Sequence, residues 1–129
     1  MNLLRKIKTW CDSKKAQPLE KWFFVEINAD SVKIKASPPG KDSWEQKFDW
    51  DTIKKVCFKD EGIWASDVFY VFTTIRQEAF VVPVEANGGH EFWKELEKRG
   101  LFPENISTKA IRSTDGGLYC WPLENKELF

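Results

Sequence analysis

The chain is poor in the residues that usually carry chemistry. Among its 129 residues there is one histidine, His90, one methionine and two tyrosines. The three cysteines, Cys11, Cys57 and Cys120, are an odd number without a CxxC pair or a histidine at metal-ligand spacing. That pattern argues against a zinc site and against a disulfide framework, and makes a reducing cytoplasm the economical expectation. No run approaches the roughly 18 apolar residues a membrane span needs. Lys6 and Lys8 interrupt the leader where a secretory signal would carry its apolar segment. Formal charge is zero, from 20 basic and 20 acidic side chains. It is unevenly spread: Arg5, Lys6, Lys8, Lys14, Lys15 and Lys21 face only Asp12 and Glu20 in the leader, so the remaining body is acidic. A body without a concentrated basic face is a poor nucleic-acid binder, and no such partner is expected.

Catalytic signatures are missing as well. There is no GxSxG elbow, no GxGxxG and no GxxxxGK[ST] loop. His90 would need a nucleophile and an orienting partner to act as a base, and the sequence supplies neither beside it. Glu85 next to Asn87-Gly88-Gly89 suggests a phosphate cradle at a helix start, but the carboxylate would repel phosphate and turn chemistry explains the glycines. Asp60, Glu61 and Asp67 offer oxygen ligands at a spacing that matches no calcium loop, so a solvated acidic loop is expected. No enzyme, cofactor or metal is expected.

What the chain does have is aromatic mass, with seven tryptophans in so short a sequence. Each ring covers on the order of 150–250 Å², so several should lie at a rim, where tryptophan favours partner contacts. Length predicts one domain, with a leader and linker over 1–20, a sheet plus helix over 21–103 and an extended tail over 104–129. Leu3, Leu4, Ile7, Trp10 and Cys11 recur at helical spacing and predict a short amphipathic N-terminal helix. Packed on the domain it would be structural; against anionic lipid it would be an anchor.

From Lys21 the period changes. Phe23, Val25 and Ile27 alternate with Trp22, Phe24 and Glu26, a strand whose early part is apolar on both faces. Asn28-Ala29-Asp30-Ser31 is turn chemistry, and Val32, Ile34 and Ala36 form a half-buried strand. Trp44, Gln46 and Phe48, then Val56 and Phe58, then Val68 to Thr73, then Ala79 to Val84 supply four more. Phe92, Trp93 and Leu96 share one face of a helix over about 88–99, with Gly100 fitted to a left-handed C-terminal position. Pro103 is expected to stop helix, and Lys109 to Arg112 and Leu118 to Trp121 to be extended. The predicted fold is α+β: one bent antiparallel sheet of about six strands, capped by one helix, plus the short N-terminal helix.

The order of Phe48-Asp49-Trp50-Asp51-Thr52-Ile53-Lys54-Lys55-Val56, an aromatic strand, Val82-Pro83-Val84-Glu85-Ala86-Asn87-Gly88-Gly89 and a closing helix resembles small bacterial domains of pleckstrin-homology-like build. It is also similar to small bacterial proteins found among the immunity proteins of toxin systems. The likeness spans about residues 22–102 and transfers no functional residue. It implies a cytoplasmic, non-catalytic protein-binding module, its partner a toxin domain. Trp44, Trp64 and Trp121 are the expected anchors, with Asp60, Glu61 and Asp67 steering a basic partner. The alternative it implies is a membrane-surface module that uses the basic N-terminal helix for peripheral contact.

Overall fold

The first hairpin is set by one side chain. The Asn28 amide oxygen accepts from the backbone N–H of Asp30 and of Ser31, each at 2.8 Å. This closes an Asx-type turn between β1 (Phe23–Ile27) and β2 (Ser31–Ala36). The computed structural model describes residues 18–60, 67–112 and 117–122, the side chains of 109–112 excepted. After β2 come β3 (Trp44–Asp49), β4 (Ile53–Lys59), β5 (Val68–Thr73) and β6 (Phe80–Pro83). Helix α1 (Gly89–Lys98), helix α2 (Glu104–Arg112) and β7 (Leu118–Trp121) complete the order.

These strands form two antiparallel sheets, not the single sheet that alternation predicted. One has the order β1-β2-β3 and the other β6-β5-β4-β7. The break falls between β3 and β4, at a 3-10 turn over Trp50–Thr52. Trp50 is buried there, and its indole N–H donates to the Asn28 carbonyl at 2.8 Å while its backbone N–H reaches the Asp30 carbonyl at 3.0 Å. Those bonds tie the turn to the β1–β2 hairpin, so the chain leaves the first sheet and β4 pairs with β5 instead of β3. Alternation reports that a strand exists; it does not report its neighbour.

The inner faces meet in one core. Phe23, Val25, Val32, Ile34 and Phe48 from the first sheet join Val56, Phe58, Phe69, Val71, Phe80 and Val82 from the second. Helix α1 closes it with Phe92 and Leu96, both fully buried. Its C-terminus is stopped by Gly100 at φ 73°, with the Leu101 N–H returning to the Leu96 carbonyl at 2.9 Å. Beyond it the tail departs from expectation, because residues 104–112 are helical, not extended. Pro103 stands just ahead of α2, where its missing N–H costs nothing, and its carbonyl accepts from Ile106 and Ser107 at 3.0 Å each. The proline read as a stop is a start.

A second departure is covalent. Cys57 on β4 and Cys120 on β7 sit directly opposite each other and form a disulfide across 63 positions of sequence. The spacing argument against disulfides failed because the register that joins β7 to β4 has no local signature. Neither described helix is long and apolar enough to cross a membrane.

The two sheets are also welded by backbone. Asn87 donates to the Phe23 carbonyl at 2.9 Å and accepts from the Val25 N–H at 2.7 Å, extending β1 by a parallel bridge. The weld explains the two glycines that follow. Gly88 has φ 91°, and a Cβ there would overlap the Val25 carbonyl oxygen; a Cβ at Gly89 would overlap the Val84 carbonyl oxygen. Gly40 is also left-handed, at φ 73°, but nothing lies near the place its Cβ would take. Gly40→Ala should therefore cost about 1–2 kcal/mol, the left-handed penalty alone, and Gly88→Ala at least twice that. Urea unfolding of both variants checks this; equal costs would contradict the close approach at Gly88.

Candidate partner-binding surface

The outer face of the three-stranded sheet combines charge with exposed ring. Alternation places Phe24 and Glu26 of β1, Lys33 and Lys35 of β2, and Glu45 and Lys47 of β3 on that face. Register then lines up Phe24, Lys35 and Glu45 in one row across the strands and Glu26, Lys33 and Lys47 in the next. Two diagonal ion pairs cross it, Lys33–Glu45 and Lys35–Glu26, both at 3.4 Å. All four side chains are 40–56 % exposed, so water screens them. Where the face meets the β2–β3 loop there is a groove of about 640 Å³. Phe24, Glu26, Lys35 and Glu45 line it from the strands, and Ser37, Ser43 and Trp44 from the loop end. The Ser43 hydroxyl lies 3.0 Å from that of Ser37, tying the two ends of the loop together. Trp44 belongs to the inner set of β3 but stands at its rim, half-buried, with its ring edge-on to Phe23 at 5.7 Å.

A second recess, of about 440 Å³, opens at the start of α1. Glu20, Glu85 and Glu91 supply its carboxylates, and Pro18, Leu19, His90 and residues 86–88 line the rest. Two amides of the glycine-rich turn here are engaged: Asn87 in the weld to β1, Gly89 to the Ala86 carbonyl at 2.9 Å. With three carboxylates around it, the recess suits a cationic group and repels phosphate. No serine, threonine or cysteine lines it beside His90, so no nucleophile and base are brought together there. Among the described residues no group of three His, Cys, Asp or Glu side chains is placed to hold a metal ion.

The residues expected from sequence do not form one patch. Trp44 lines the groove just described. Asp60, expected at a solvated rim, is only 7 % exposed, and its N–H donates to the Gly117 carbonyl at 3.2 Å. Asp67 is half-buried, and its carbonyl accepts from Val84 at 2.8 Å. Trp121 is opposite Val56 at the far edge of the other sheet, half-buried against the core. Glu61, Trp64 and the amphipathic N-terminal segment lie outside the described residues.

Phe24, Glu26 and Lys35 were missed as site residues. The signal was present: Phe24 is apolar on the strand's off-face, where a half-buried strand would carry a polar side chain. No protein-family model, no curated protein and no solved structure matches the chain. If the ion pairs on this face are screened as their exposure requires, Lys35→Ala and Glu45→Ala should each change stability by less than about 1 kcal/mol. Thermal unfolding checks it; a larger loss would make these charges part of the fold and unavailable to a partner.

Proposed function

We propose that this protein is a non-catalytic protein-binding module that engages its partner through the groove on the outer face of the three-stranded sheet. One observation supports this above the rest: a half-buried ring, Phe24, stands in a groove flanked by solvent-exposed ion pairs. A ring of this kind gains burial only when something covers it. Charges weakly committed within the chain can exchange their partners for those of another protein. Trp44 at the groove's end adds a second aromatic contact of the type that dominates interface energetics.

The specific case proposed is an immunity protein that occludes a cognate bacterial toxin. The acid-lined recess at the start of α1 would then receive a basic side chain of the toxin, consistent with an acidic body steering a basic partner. A cytoplasmic site of action rested on unpaired cysteines. With Cys57 and Cys120 bonded, that ground is gone, and the immunity reading is proposed without a compartment.

The test is titration calorimetry and pull-down against the product of the neighbouring reading frame, with Phe24→Ala as the diagnostic variant. Phe24 points out of the sheet, so its truncation leaves the core intact. A complex at micromolar concentration or tighter is expected, weakened roughly 30-fold or more by Phe24→Ala, as for a central interface anchor. No complex at micromolar concentration would discard the immunity reading. Unchanged affinity in the variant would discard the groove.

A further inference from the structure

We infer that the Cys57–Cys120 disulfide is a redox latch on β7, opened by a dithiol reductant to release that strand and uncover the edge of β4. Besides the disulfide, β7 is held by one strand, by packing against α2 and by Tyr119 and Trp121 on the core. It is a four-residue edge strand whose only strand neighbour among the described residues is β4, paired through Val56 with Trp121, Cys57 with Cys120, Phe58 with Tyr119 and Lys59 with Leu118. None of its side chains is buried: Tyr119 and Trp121 are half-covered, and Leu118 is 58 % exposed. The strand it leans on is different in kind, with Val56 and Phe58 no more than 1 % exposed and Val68, Phe69 and Val71 of β5 behind them fully buried. A short strand with half-buried side chains belongs to the low end of local stability. The covalent bond at its centre adds to these contacts a direct link to β4 that a reductant can remove.

The pair is placed for exchange. Cys57 is 4 % exposed, while Cys120 is partly open to solvent on the edge strand. A reductant thiolate attacks the Cys120 sulfur, the S–S bond breaks, and Cys57 leaves as a thiolate and takes up a proton. The second thiol of the reductant then attacks the sulfur that the first has bonded to Cys120. Cys120 is released and protonated, and the reductant departs as its own disulfide, two electrons having passed to the protein.

Register makes the consequence readable amide by amide. The Cα atoms of Cys57 and Cys120 are 4.0 Å apart, the spacing of the narrow, non-hydrogen-bonded kind of antiparallel pair. The β4 amides that face β7 are then the alternate ones, Val56 and Phe58, and the Asp60 N–H bonded to the Gly117 carbonyl continues that series. Cys57 and Lys59 point their amides to β5.

Amide hydrogen exchange by NMR on the full chain, with and without dithiothreitol, tests the latch. Cys11→Ser removes the third thiol as a competing partner, and a Cys57→Ser/Cys120→Ser variant mimics the open state. The expected result is exchange roughly tenfold faster or more at Val56, Phe58 and Asp60 in the reduced protein and in the double variant, with Lys59, Phe69 and Val71 unchanged. Two results would overturn the inference. Equal protection in both redox states makes the bond a passive staple. Loss of protection throughout both sheets, or a double variant that does not fold, makes it a global stabiliser.

Discussion

Phe69 is the point through which this fold is held together. Its ring lies edge-on to Phe92 at 5.9 Å and to Trp93 at 5.2 Å on α1, to Phe102 at 5.4 Å beyond it, and to Phe58 at 5.3 Å on β4. Edge-to-face pairs of this kind contribute about 0.5–1.5 kcal/mol each beyond their buried area. The cluster reaches the turn after β3 through Trp50, stacked on Phe92 at 5.7 Å and bonded to the β1–β2 hairpin, while a separate ring pair, Phe48 at 4.6 Å from Phe80, joins β3 to β6. Trp93 carries it outward to α2, donating from its indole to the Ser107 hydroxyl at 2.9 Å. One aromatic network therefore joins both sheets to both helices.

Fixing α1 in this way leaves the rest of the molecule with defined faces. The helix N-terminus is anchored by the Asn87 weld to β1, and its C-terminal turn by Arg99. The Arg99 guanidinium bonds Glu95 at 2.7 Å and the Ala29 carbonyl at 2.9 Å while lying 4.4 Å over the Trp50 ring. Both ends of the helix are thus committed to the β1–β2 hairpin. The outer face of the first sheet stays uncovered by either described helix, and the groove beside Phe24 lies on it.

Several elements were legible before any coordinates. The alternation of Val32, Ile34 and Ala36 and the helical face of Phe92 and Leu96 depend on period alone, which a sequence displays directly. Gly100 was legible because only glycine takes that turn without strain. The division into two sheets was not, since it depends on Trp50 finding Asn28 across 22 positions. Nor was the Cys57–Cys120 bond, which needs β7 beside β4. Pro103 was misread because proline both ends and begins helices, and the choice falls to Ile106 and Ser107 being buried behind it. The site was half-legible for the same reason. Trp44, expected as an anchor from the surplus of tryptophans, lines the groove, whereas the backbone bond of Asp60 is made to Gly117, nearly sixty residues later. The resemblance to pleckstrin-like domains carries no weight for pairing, which follows here from register alone.

The aromatic network around Phe69, more than any strand pairing, unites the sheets and helices. Urea unfolding of Phe69→Ala, followed by near-UV circular dichroism, tests it most directly. The network predicts a loss of about 3–5 kcal/mol, the range for truncating a fully buried phenylalanine, together with collapse of the native tryptophan signal. A loss under about 1 kcal/mol with that signal intact would contradict it.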